Sequence, residues 1–158
     1  MIKTTPRRIR IFNPCGQRKD SNEGWGLFLR NNPAIRMDDH ITFRMILQSN
    51  GINDAIWCLR VLDEKYDKEI RLFACDCAER VVHLCTDKRS AKSIEVSRRF
   101  ANGTATEEEL KAAMVSAWDA AMTLAAAKTA AAAAARAAAA ARAAEKQFQS
   151  DLFIEYFC

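Results

Sequence analysis

The run AAAKTAAAAAARAAAAARAAEK, residues 125–146, decides the fold, and the whole stretch from Thr104 to Cys158 around it contains neither glycine nor proline. Alanine has the highest helix propensity of all residues, and nothing in this stretch interrupts a helix. The C-terminal third is therefore read as one long helix, or as two joined by a kink. Unbroken, residues 107–157 would extend about 75 Å at ~1.5 Å per residue. A compact domain of this chain length is only about 40 Å across. The helix must then either protrude or bend. Its far end carries Phe148, Leu152, Phe153, Tyr156 and Phe157, an amphipathic set that requires burial. Packing it on the same chain favours a bend; packing it on a second copy would make a homodimer.

Working outward, the strongest local signal is Thr104-Ala-Thr106-Glu-Glu-Glu109-Leu110. Thr106 and Glu109 have the spacing of a capping box, and three glutamates sit beside the positive end of the helix dipole. The helix that starts here carries Leu110, Met114, Val115, Trp118, Met122 and Leu124 before its side chains shrink to methyl groups. Lys128, Arg136, Arg142 and Lys146 fall within about a third of the helical wheel, which gives the alanine stretch one basic, wetted stripe.

Upstream, a first helix is expected from about His40 to Ser49, with Asp38 or Asp39 as its N-cap and Gly51 at its end. Asn53 or Asp54 starts a second, in which Ile52, Ala55, Ile56 and Leu59 form one buried face. A third is expected from Asp67 to about Thr86, apolar around more than half its circumference and therefore central. A fourth runs from about Lys88 to Ala101 and closes at Asn102-Gly103. The larger apolar side chains lie mostly between Ile41 and Leu124, so the core is expected there. The fold class is all-α: a compact multi-helix bundle with a long Ala-rich C-terminal helix and an irregular basic N-terminal arm. Its segments are the arm (1–36), the helical core (37–124) and the Ala-rich helix with its amphipathic end (125–158).

The arm holds eight Lys/Arg against two Asp/Glu, about +6, whereas the chain as a whole carries +4. It is punctuated by Pro6, Pro14, Gly16, Gly24, Gly26 and Pro33, and Arg8-Ile9-Arg10-Ile11 alternates like a short edge strand. Lys3, Arg7, Arg8, Arg10, Arg18 and Lys19, with Phe12 and Trp25, combine charge with stacking surface, while Trp25, Leu27, Phe28 and Leu29 are read as fastening the arm to the helical body. That combination suits nucleic acid or an acidic protein; a solubilising tail is the plainer reading.

Six cysteines are present. Cys58, Cys75, Cys77 and Cys85 sit in apolar helical sequence and read as small buried hydrophobes, while Cys15 and Cys158 lie near the ends and read as exposed. Cys75 and Cys77 are about 200° apart on a helix and cannot pair while it stays helical. Cys75, Cys77, His83 and Cys85 mimic a zinc ligand set, but all lie on one helix and point in different directions. No cysteine–histidine pair, phosphate-binding glycine loop or paired-carboxylate motif is legible, so neither catalytic residues, metal ligands nor a cofactor are expected. The start has no apolar run of signal-peptide length, and basic residues interrupt the alanine run, which reads as a cytoplasmic chain without a membrane span. Asp76, Glu79, Arg80 and His83 share the polar face of the third helix, and Asp87 and Arg89 follow. These six, with Arg7, Arg8, Arg10, Arg18, Lys19 and Trp25, are the candidate partner-binding residues.

The order of Asp54-Ala55-Ile56-Trp57-Cys58-Leu59-Arg60, Arg71-Leu72-Phe73-Ala74, Thr86-Asp87-Lys88-Arg89-Ser90 and Ala101-Asn102-Gly103 leading to Thr106-Glu-Glu-Glu-Leu110, then the Ala-rich tail and its closing DLFIEYFC, resembles a small helical immunity-protein family of the Imm-5 type, found in phage genomes and bacterial toxin–immunity loci. The resemblance covers roughly two thirds of the chain and none of the first 36 residues. It implies a non-catalytic α-helical protein that binds and neutralises a toxin or, in a phage, a bacterial defence effector in the host cytoplasm. The alternative reading is a nucleic-acid-binding accessory protein that uses the basic arm.

Overall fold

The computed structural model describes residues 2–17, 22–84, 87–126 and 134–158. The protein is all-α, with a single two-stranded pairing among the described residues. Its contacts gather into two compact units, Met1–Glu64 with Lys146–Cys158, and Lys65–Glu145. No helix among the described residues is long and apolar enough to cross a membrane.

In the first unit, β1 (Lys3–Thr4) pairs antiparallel with β2 (Ile41–Thr42), Lys3 opposite Thr42 and Thr4 opposite Ile41. Helix α1 (Pro6–Ile11) follows β1 directly. The Thr5 hydroxyl accepts from the Arg8 amide, and Pro6 occupies the first turn, where its missing N–H costs nothing. This corrects the expected edge strand: Ile9 is buried and Ile11 exposed, so the alternation of Arg8 to Ile11 is not a strand with one apolar face. Helix α2 (Gly24–Asn31) begins on a loop that caps it, Trp25 N–H donating to Cys15 O and Gly26 N–H to Gly16 O. Gly24 has φ +51°, and a Cβ there would lie 2.3 Å from Cys15 O, so only glycine fits. The arm read as irregular thus contains two helices that contribute Ile9, Trp25 and Phe28 to the core.

Helix α3 (Phe43–Asn50) starts three residues later than expected. Residues 41 and 42 are held by the strand pairing, and Thr42, rather than Asp38 or Asp39, caps it by accepting from Met45 N–H. Gly51 ends it with φ +83° and donates to Leu47 O. That glycine also leads straight into α4 (Ile52–Cys58), whose Ile52 and Ala55 are buried together with Leu59 in the 3-10 turn Leu59–Val61. The amphipathic end of the chain belongs to this unit: Phe153 and Phe157 bury against each other and against Phe43, with ring centroids 5.0 to 6.5 Å apart. Of the two packings open to this end of the chain, the one on its own chain is observed.

In the second unit, α5 (Asp67–Val81) packs on α6 (Lys88–Ala101), and α6 on α7 (Glu107–Ala126). α5 stops earlier than expected and passes into a 3-10 turn, Val82–Leu84. It is also less central: Phe73 and Cys75 are buried, but Ala74 is exposed and Ile70 and Ala78 are half-buried. Alanine and cysteine widened the apolar arc on the wheel while supplying little area to bury. α6 has the expected bounds. Its N-cap Asp87 accepts from Arg89 N–H, and Gly103 follows its C-cap with φ +72°. The capping box of α7 is complete: Glu109 N–H donates to Thr106 Oγ1 and Thr106 N–H to Glu109 Oε2 at 2.7 Å. The Ala-rich stretch is helical to Ala126 and again in α8 (Ala134–Phe157). The question of a kink falls on residues 127–133, outside the described residues.

Candidate partner-binding surfaces

Three arginines of α1 lie on its solvent face. Arg7 grips Asp38 with both fork nitrogens, Nε at 2.6 Å and Nη2 at 2.8 Å. This hydrogen bonding holds the Asp38 carboxyl below its usual range and raises the Arg7 guanidinium. Arg8 pairs with Asp63, and Arg10 has no ion-pair partner among the described residues. Of the two roles read for Trp25, it takes the fastening one and not the partner-binding one. It is 5% exposed and stacks on Phe28 with centroids 6.0 Å apart, so its ring belongs to the core and offers no partner a surface. Arg18 and Lys19 lie outside the described residues.

The charged face of the second unit is built from pairs across its helices. Arg98 of α6 meets Asp76 at 2.6 Å and Glu79 at 2.9 Å, both on α5. Hydrogen bonding, chiefly from Asp76, raises its guanidinium. Arg80 reaches Glu145 at 3.0 Å. His83 is exposed on the 3-10 turn. Asp87 and Arg89 pair with each other at 2.6 Å as part of the α6 cap, and the Arg89 hydrogen bonds hold the Asp87 carboxyl low. Asp76 and Glu79 are thus brought together by Arg98, while Asp87 and Arg89 form a separate, local pair. None of these contacts brings His83 to a carboxylate.

The described thiols are free. Burial pushes Cys58 up to about 12 and Cys77 up to about 11, and raises Cys75 as well. Near neutrality such groups remain thiols and are poor nucleophiles. Cys158, expected to be exposed, is half-buried, and that burial raises it too; Cys85 lies outside the described residues. Among the described residues no group of three or more His, Cys, Asp or Glu is placed to hold a metal ion. A half-open pocket of the first unit, between Ile9, Trp25, Phe28, Ile46, Trp57 and Cys58, has a volume of about 30 Å³, which is water-sized. An open groove between α5 and α6, lined by Ile70, Arg71, Cys75, Ser93, Ile94 and Ser97 among others, is larger, about 410 Å³.

A second surface was not legible as such in the sequence. Met114, Val115 and Trp118 of α7, which the apolar pattern assigned to the core, are 57%, 63% and 68% exposed. Leu110 alone of the large apolar residues in these turns is buried. The signal that places the others outside is a charge pair. Lys111 bonds Glu107 at 2.8 Å, and Met114, Val115 and Trp118 follow Lys111 at i+3, i+4 and i+7, on its side of the helix. Arg99 and Glu109 form a further pair at the start of the helix, at 3.4 Å.

Comparison with family models, with curated proteins and with solved structures finds no match to this chain.

Proposed function

We propose that this protein is a non-catalytic, stoichiometric protein-binding inhibitor of the immunity or phage counter-defence kind, acting on a toxin or a bacterial defence effector in the host cytoplasm. The observation that carries the reading is the exposed Met114–Val115–Trp118 surface of α7, with the Lys111–Glu107 pair on the same side of the helix. Tryptophan and methionine are enriched at the centres of protein interfaces, and a polar rim around them is the usual arrangement. Exposed apolar side chains grouped on one helix face mark an interaction site more often than chance exposure does. The charged surface of α5 and α6, where Asp76, Glu79 and Arg98 are already paired, would supply specificity to a partner more than affinity. The burial-raised thiols favour binding over cysteine chemistry. The resemblance of residues 54–121 to the immunity-type family points the same way.

The test is capture of a partner by the tagged chain from host lysate with and without nuclease treatment, followed by assay of that partner's own activity. Recovery of one protein near 1:1, whose activity falls in step with added chain and is abolished at equivalence, is expected. Recovery solely of nucleic-acid-associated proteins lost on nuclease treatment, or a partner whose activity is unaffected, would overturn the reading.

A further inference from the structure

Helix α1 is a second exposed surface, in the other unit and independent of α7. On a helix of six residues, Arg7, Arg8, Arg10 and Ile11 face solvent while Pro6 and Ile9 are buried. Ile11 is 75% exposed, and Phe12, which caps the helix, is 44% exposed. Two of the arginines are held by single carboxylates, Asp38 and Asp63, whose own side chains are 72% and 54% exposed. Exposed pairs of this kind contribute little stability and exchange readily for another anion. A guanidinium fork that accepts a carboxylate in two-point geometry, as Arg7 does, accepts a phosphate in the same way.

We propose that α1 binds single-stranded nucleic acid, with Arg7, Arg8 and Arg10 taking backbone phosphates and Phe12 stacking on a base. Asp38 and Asp63 then act as internal stand-ins for phosphate, displaced when the strand arrives. The residues favour this ligand over other polyanions. An exposed aromatic ring beside three guanidinium groups matches a chain that alternates charge with flat π surfaces, and stacking on it is tolerant of sequence. An anionic membrane fits less well: the helix is under two turns long, and two of its three apolar residues, Pro6 and Ile9, are turned into the core.

The experiment is fluorescence anisotropy of the full chain with a labelled single strand of about 12 nucleotides, titrated over salt. Three phosphate contacts predict that log affinity falls with log salt with a slope of about −2, a loss of roughly 16-fold between 50 and 200 mM. Arg10→Ala should shrink the slope by about 0.7, and Phe12→Ala should weaken binding at least about fivefold. Asp38→Asn should tighten binding by up to about fivefold, a gain that a damaged fold cannot mimic. Absence of binding at 50 mM salt, equal affinity for duplex, a stronger preference for phosphatidylserine vesicles, or indifference to both Arg10→Ala and Asp38→Asn would each overturn the proposal.

Discussion

The two units spend their apolar residues in opposite ways. In the first, the large side chains are inside: Ile41, Phe43 and Phe153 are fully buried, and Phe157, Val61 and Ile46 nearly so. In the second, the buried apolar residues among those described are Phe73, Cys75, Val96 and Leu110, while Met114, Val115 and Trp118 stand in solvent. Side-chain ion pairs also link its packed helices, Arg98 with Asp76 and Glu79, and Arg99 with Glu109. Exposed pairs add little net stability. The difference separates a unit organised around a core from one that presents surface.

The sharpest way to break this contrast is to truncate an apolar side chain in each unit. Phe153→Ala removes a ring packed on Phe43 and Phe157 and should cost about 3–5 kcal/mol, read from the denaturant midpoint. Met114→Ala should change stability by no more than about 0.5 kcal/mol. Equal losses would mean that the α7 face is a core face after all. A smaller effect is expected at the α7 cap. Thr106→Ala removes the acceptor of Glu109 N–H and should cost about 1 kcal/mol, with the loss of amide protection confined to the first turns of α7.

Acidification should sharpen the same contrast. Glu109 is held below its ordinary 4.5, first by the Thr106 amide, and Asp87 below its ordinary 3.8 by Arg89. A carboxyl depressed in the folded state contributes stability that is present above its unfolded pKa and lost as pH falls through the folded value. The starts of α6 and α7 should therefore lose amide protection as pH falls from 4.5 to below 3.8, before the Phe43–Phe153–Phe157 cluster opens. Simultaneous opening would contradict the division. Thiol labelling gives the smallest readout. Exposed Cys15 should react with a maleimide in the native protein, whereas Cys58, raised to about 12 by burial, should react only on unfolding.

Helices α6 and α7 were the most legible part of the fold, because their ends are written in local chemistry. Asp87 before α6, Asn102-Gly103 after it, and the Thr106–Glu109 box each act within a few residues. The arm was less legible. Its glycines and prolines read as breaks, yet the Thr5–Pro6 start and the backbone of Cys15 and Gly16 make them helix starts. The N-cap of α3 was misplaced because the pairing of residues 41–42 with residues 3–4 is a long-range contact that no local window contains. The partner-binding surfaces followed the same rule. The charged residues of α5 were visible as a polar face, but Arg98, which ties Asp76 to Glu79, comes from the next helix. Trp25 is core, as its place among the arm's apolar residues suggested, whereas Trp118, read as core in an apolar run, is surface. Pattern reports how apolar a segment is, while tertiary packing decides which of its residues find a neighbour.

The measurement that bears most directly on the account is calorimetric titration of the captured partner with the wild-type chain and with Trp118→Ala. Loss of at least about 2 kcal/mol of binding free energy, with the denaturation midpoint unchanged, is the expected result. Equal affinity of the two chains would contradict the assignment of α7 as the binding face.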